Sequence, residues 1–222
     1  MDSRSPFPVD ARQRPASLGD RLLGVADNAL KTLVGGLHPA RPLPRAAAES
    51  ELEPAQRELS GRLMRVNHVG EICAQALYQG QALVARDPAL QAHFLQAARD
   101  ECDHLAWCSQ RLQALGSRAS LLDPLWYAGA LGLGAVAGSL GRRLSLGFVV
   151  ETENQVEQHL ASHLQRLPQA DHASRAVVEQ MRDDEVGHAL AAEKLGAVEL
   201  PAPMRWAMRA AARVMTTTAH WI

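Results

Sequence analysis

Apolar residues recur at three- and four-residue spacing along most of this chain, the period of helices with one buried face. The first such run follows Ser17, where Leu18, Leu22, Val25, Ala26, Ala29, Leu30 and Leu33 share a stripe. Ser17 is a suitable N-cap and Gly35-Gly36 a stop, which predicts an amphipathic helix over 17–34 that covers a core. Residues 1–16 contain Pro and Arg, show no such period and are expected to be mobile. Segment 38–44 (HPARPLP) holds three prolines, so it reads as a linker. Four long helical patterns follow, over about 55–85, 89–115, 144–167 and 170–195, punctuated by Asp87-Pro88, Gly116, Pro168 and Gly196. Pro201 and Pro203 set off a short amphipathic tail, so the chain divides at 1–45, 46–200 and 201–222. Between the second and third long helices lies an uncharged stretch at 124–141, PLWYAGALGLGAVAGSLG, just long enough to consider as a membrane span. Its plainer reading is a core segment in a long crossover.

Composition narrows the class. Of 222 residues, 47% are apolar and 21% charged, which is globular composition, and many Ala and Leu against three Phe and two Tyr favour helix. A net charge of −1 with no basic block excludes a nucleic-acid partner. Cys73, Cys102 and Cys108 are odd in number and form no CxxC pair, so a reducing compartment fits better than a disulfide framework. The opening residues lack the apolar core of a secretory leader.

The chemistry lies in two Glu-x-x-His motifs, Glu101-Cys-Asp-His104 and Glu185-Val-Gly-His188. Either alone is weak. Each falls within an expected helix, where i,i+3 spacing puts both side chains on one face. Each also follows a helix carrying a further Glu, with 30 residues from Glu71 to Glu101 and 32 from Glu153 to Glu185. The chain thus reads as two tandem helical hairpins, each offering Glu and then Glu-x-x-His. That is the ligand set ferritin-like four-helix bundles use for paired iron or manganese. Four carboxylates and two imidazoles hold two divalent ions near neutrality, and the lack of nearby CxxC thiolates disfavours zinc and iron–sulfur sites. Solvated surface glutamates are the ordinary alternative. Here Val66, Val69, Ile72 and Leu77 surround Glu71, and Phe148-Val149-Val150 precedes Glu153, so the carboxylates need a cation.

Other residues are weaker candidates. His68 and Gln75, a turn either side of Glu71, could orient ligands, although a hydrogen-bonded structural histidine is as good a reading of His68. Glu157 ranks behind Glu153 as the third-helix ligand and Glu151 points away. His159 could meet substrate, and Arg62 and Arg65 read as solvated helix charges.

With these residues in view, RVNHVGE (65–71), ECDHL (101–105), VETENQVEQH (150–159), DEVGHA (184–189) and the closing VMTTTAHWI resemble the demethoxyubiquinone hydroxylase family, ferritin-like di-iron carboxylate proteins that associate with membranes. The resemblance covers the chain from about Ser17 onward. It implies hydroxylation of the ring of 2-polyprenyl-3-methyl-6-methoxy-1,4-benzoquinol in ubiquinone biosynthesis. By position it implies Glu71, Glu101, His104, Glu153, Glu185 and His188 as ligands of two Fe ions. It further implies O2 as co-substrate, an external reductant such as NADH, and contact with other ubiquinone-biosynthesis proteins. Arg62 and His159 match positions associated with the site and its reductant, whereas Leu160 stands where Tyr is frequent. The implied location is peripheral, on the cytoplasmic side of a bacterial inner membrane.

The ligand set also constrains 124–141. Were that stretch to cross a bilayer, the two hairpins would lie on opposite sides and the six ligands could not meet. It is therefore expected in the interface, with the N-terminal helix and an Arg205, Arg209, Arg213 stripe as further membrane-facing surfaces. A ferritin-like iron-binding or iron-oxidising protein is the alternative function. A rubrerythrin-like peroxidase would bring paired CxxC motifs that this chain lacks.

Overall fold

The computed structural model describes residues 17–36, 38–46 and 51–222; the stretch 1–16, expected to be mobile, lies outside them. Among the described residues there are seven helices and no strand: α1 (Leu18–Val34), α2 (Pro54–Val84), α3 (Pro88–Ala114), α4 (Asp123–Ser139), α5 (Arg142–Arg166), α6 (His172–Lys194) and α7 (Ala202–Trp221). Local chemistry sets their ends. Ser17 and Asp20 form a reciprocal capping box on α1, and Gly35 closes it in the left-handed region at φ 84°. Pro54 and Pro88 open α2 and α3, where a missing N–H is harmless. The Asp87 and Asp171 side chains accept the N–H groups of Ala89 and Ser174.

Helices α2, α3, α5 and α6 form an all-α bundle consistent with the ferritin-like fold. Its core has two apolar plugs, each drawn from all four helices. One contains Met64, Trp107, Leu160 and Met181; the other contains Tyr78, Phe94, Val149 and Ala192. On every helix the metal-ligating candidates fall between these plugs, so water is excluded from both directions along the bundle.

The apolar stretch is a helix laid against α2, not a span. No helix among the described residues is long and apolar enough to cross a membrane. One face of α4, with Tyr127, Ala130, Gly134 and Ala137, is buried. The backbones meet so closely that a Cβ at Gly80 would lie 2.3 Å from the Leu131 carbonyl, and one at Gly134 would lie 2.2 Å from that of Leu77. The opposite face leaves Leu125, Leu133, Val136 and Leu140 exposed.

The stripe expected to cover the core from α1 is divided. Ala29 and Leu33 pack beside Ile72 and Tyr127, while Leu22, Leu23, Leu30 and Val34 face outward. On α7, Ala219 packs with Val66 and Val69 and Trp206, Val214 and Trp221 are exposed. Of the arginine stripe expected on that helix, Arg205 pairs with the exposed Glu199 and Arg209, itself exposed, lies 3.6 Å from Glu151.

Candidate metal centre

Four helices each deliver a carboxylate to the gap between the plugs. Two groups of potential ligand atoms result, Glu71, Glu101, His104 and Glu185 in one and Glu101, Glu153, Glu185 and His188 in the other, with atoms within 4.8 Å of one another in each. Glu101 and Glu185 belong to both. The arrangement is nearly symmetric, since each shared glutamate begins a Glu-x-x-His turn. His104 Nδ1 lies 2.9 Å from Glu101 Oε2 and 3.3 Å from Glu185 Oε1. His188 Nδ1 lies 3.0 Å from Glu101 Oε1 and 3.3 Å from Glu185 Oε2.

These atoms crowd together in the gap between the plugs. His104 Nδ1, both Glu101 oxygens and Glu71 Oε2 are buried without a hydrogen-bond partner, a condition that neutral water-free packing does not tolerate and a cation satisfies. The residues therefore fit a pair of divalent ions, with hard carboxylates in excess and one imidazole for each.

Charge is strained in the metal-free centre. Burial, together with Glu101 and Glu185, pushes the Glu71 carboxyl up to about 8. Burial and the charges of Glu185 and Glu101 push Glu153 well up too. Burial opposes the Glu101 charge, yet His104 and His188 outweigh it and hold that carboxyl well down. Burial likewise opposes a charge on His188, but the Glu101 and Glu185 carboxylates close to its ring raise it to about 11.

Protons thus occupy places that metal would take. Metal binding is expected to release protons and to tighten as pH rises from 6 to 8, because Glu71 and His188 must deprotonate to ligate. The sign for metal-free stability is opposite. Glu71 and His188 have folded-state values raised above their ordinary ones, so their contributions are lost as pH rises through about 4.5–8 and 6.5–11 respectively. Calorimetric titration with Mn2+ in buffers of different ionisation enthalpy reads the first effect. The melting temperature of metal-free protein, falling from pH 6 to 9, reads the second.

Behind the candidate ligands lies a layer of partners that sequence reasoning missed. His104 Nε2 meets Asp184 Oδ2 at 2.8 Å, leaving Nδ1 for metal. Asp184 is held in turn by Arg41 Nη2 at 2.8 Å, while Arg41 Nε binds Asp103 at 2.6 Å. The Arg41 guanidinium also lies over Trp107, 4.8 Å from the ring centroid. The segment read as a linker is thus strapped to α3 and α6, with Asp103 also accepting the Ala40 N–H at 2.6 Å. Tyr78 donates its hydroxyl to Glu153 Oε1. The only local hints were the position of Asp184 beside Glu185 and of Tyr78 seven residues after Glu71 on the same helix.

Arg41→Ala is therefore expected to weaken metal binding about 10- to 100-fold without unfolding the bundle. Arg41→Lys should recover only part, since an ammonium cannot span both carboxylates as the guanidinium fork does. Competition with a coloured chelator, alongside circular dichroism, checks this.

The remaining candidates lie off the ligand cluster. His68 is buried, with Nε2 3.1 Å from Ser109 Oγ and Nδ1 3.7 Å from Asp123, and these partners make it a tie between α2, α3 and α4. Gln75 donates to the Ala98 carbonyl and to Cys102 Sγ, locking α2 against α3 beside Glu101. Arg62 pairs with Glu58 and lies over the Trp221 ring, roughly 13 Å along α2 from Glu71. The His159 ring packs against that of His163, tilted by 57° with 4.0 Å between centroids, and Leu160 is plug material. Glu151 turns to Gln155 and Arg209.

Comparison with known proteins places this geometry. The family model for "Ubiquinone biosynthesis protein COQ7" matches residues 58–219. A 3-demethoxyubiquinol 3-hydroxylase of Verminephrobacter eiseniae is 61% identical over 207 residues, covering 93% of this chain and all of that protein. The protein of the same description from Polaromonas naphthalenivorans is 61% identical over 204 residues, covering 91% and 98%. That from Ralstonia pickettii is 55% identical over 215 residues, covering 91% and 99%. A match across most of the chain, on a bundle whose four helices converge buried carboxylates and imidazoles, leads to one conclusion: the chain belongs to the COQ7 family of ubiquinone biosynthesis proteins.

Proposed function

We propose that this chain is a di-iron monooxygenase that hydroxylates the ring of a demethoxyubiquinol, the activity for which its relatives are named. The observation that carries the reading is the convergence of unpartnered carboxylate and imidazole atoms from four helices between two apolar plugs. Glu101 and Glu185, common to both groups, would hold two irons together with Glu71 and His104 on one side and Glu153 and His188 on the other. When bound, the iron pair supplies dioxygen activation and electron storage.

The chain's own residues supply the setting. Asp184 holds His104 in one tautomer and orientation, and Arg41 holds Asp184. The Tyr78 hydroxyl keeps its proton because burial and the Glu153 charge push it well above the ordinary phenol range, so it remains a donor that fixes one Glu153 oxygen. The plugs keep water from the reacting ring. In the overall reaction a ring C–H becomes C–OH. The second oxygen atom leaves as water, taking two electrons and two protons; NADH, the proposed external reductant, supplies the electrons and one proton as hydride, and solvent supplies the other proton.

A polyprenyl quinol resides in the bilayer. The exposed apolar faces of α1, α4 and α7 support peripheral docking at the cytoplasmic side of a bacterial inner membrane. Cells lacking the protein are expected to accumulate the demethoxy quinone and lose ubiquinone, with restoration by the intact chain. In 18O2 the new hydroxyl should carry label. Label arriving from water, or an unchanged quinone profile, would overturn the hydroxylase reading and leave an iron-oxidising protein.

A further inference from the structure

Away from the metal centre, where the start of α2 meets the turn after α3 and the end of α7, lies a cleft of about 570 Å³. Arg57, Arg62, Arg65 and Arg118 line it together with His220 and Trp221, and Glu58 is the single carboxylate among the lining residues. Glu58 is taken by Arg62. Arg65 spends its guanidinium on the Arg118 carbonyl and Ser117 Oγ, neither of them anionic. Among the described residues, Arg57, Arg65 and Arg118 have no carboxylate partner. Close packing holds the walls together, since a Cβ at Gly61 would sit 2.9 Å from Ser117.

Two side chains register the excess positive charge. Burial and the nearby Arg118 and Arg62 pull Arg65 below the ordinary guanidinium range, and burial with Arg166, Arg62 and Arg65 pulls His220 below the ordinary imidazole range. The rim is apolar. Leu121, Trp221 and Ile222 are exposed beside it, with the Leu121 N–H bonded to the Ile222 oxygen at 3.4 Å. Leu121 leads into the exposed face of α4, and Trp221 ends that of α7. A guanidinium-lined cleft whose lip continues into apolar helix faces matches a phosphate attached to acyl chains, because guanidinium forks bind phosphate oxygens bidentately while the lip meets hydrocarbon.

We infer that this cleft seats the phosphate of an anionic phospholipid and so orients the docked protein on its membrane. The inference rests on the peripheral-membrane reading above, and flotation of the full-length protein with vesicles separates the two. Binding to mixed phosphatidylcholine–phosphatidylglycerol vesicles should exceed binding to phosphatidylcholine alone. In the mixed vesicles, Arg57→Ala/Arg118→Ala should weaken binding about ten- to thirtyfold at low salt, from ~1 kcal/mol per basic residue at an anionic surface. Arg99→Ala/Arg182→Ala, with the same charge change outside the cleft, should weaken it far less. Equal losses from both pairs would mean diffuse attraction and overturn the site. Equal binding to neutral and anionic vesicles would overturn the site and leave membrane docking standing; binding to neither would remove both. Saturable binding of soluble glycerol 3-phosphate at micromolar concentration, abolished by the cleft pair, would reassign the site to a free phosphate and overturn the lipid source.

Discussion

Glu185→Ala is expected to yield a folded protein that binds no more than a fraction of its metal and retains less than about a thousandth of wild-type hydroxylation. Glu185 belongs to both groups of ligand atoms, so its loss affects both metal positions at once. Removing ~4 kcal/mol of charge stabilisation from the reacting centre already accounts for three orders of magnitude. The metal-free fold should tolerate the change, because Glu185 is among the charges that push Glu153 upward and its removal relieves repulsion. Wild-type protein gains thermal stability on loading by mass action with metal; the variant should gain almost none. Iron content, turnover and melting temperature with and without iron are the measurements. Wild-type iron and turnover in the variant would remove Glu185 from the ligand set.

Gly80→Ala should be among the most damaging single methyl additions to this chain. Its Cβ would stand 2.3 Å from the Leu131 carbonyl and 2.8 Å from the Ala135 nitrogen, both backbone atoms that can move only if α4 moves. Overpacking of this kind destabilises by about 3 kcal/mol or more, which lowers the melting point by roughly 6–12 °C in a domain of this size. Gly132→Ala provides the opposite expectation. Nothing lies within 4 Å of its Cβ position, so the same methyl should stabilise α4 by about 0.5–1 kcal/mol through helix propensity. Thermal melts of the two variants decide the matter. A mild effect from Gly80→Ala would mean that α4 is not seated on α2 as described.

That contrast shows what sequence could not reveal about the apolar stretch. Its composition allowed a span, an interfacial segment or a core helix, since hydropathy measures transfer from water and not the destination. Gly134 and Gly80 are distant in the chain, and only their apposition makes their missing side chains meaningful. The charged stripe on α7 followed the same rule. Periodicity placed Arg205 and Arg209 on the chain, but Glu199 and Glu151 determined where their charges were used.

Sequence alone determined the four bundle helices and the grouping of chemistry, because each depends on contacts within a turn or two. Capping at Ser17, punctuation at Gly116 and Gly196, and the shared face of each Glu-x-x-His pair are local facts of a 3.6-residue period. Repetition of that motif on two hairpins was enough to expect a shared centre, and the fold brings the six side chains together. The tertiary structure alone decided what stands behind them. Arg41 meets Asp103 and Asp184 across 62 and 143 residues of chain, and Tyr78 meets Glu153 across 75. No periodicity encodes such pairings; they arise when buried polar groups must find partners in whatever element packing has placed opposite them.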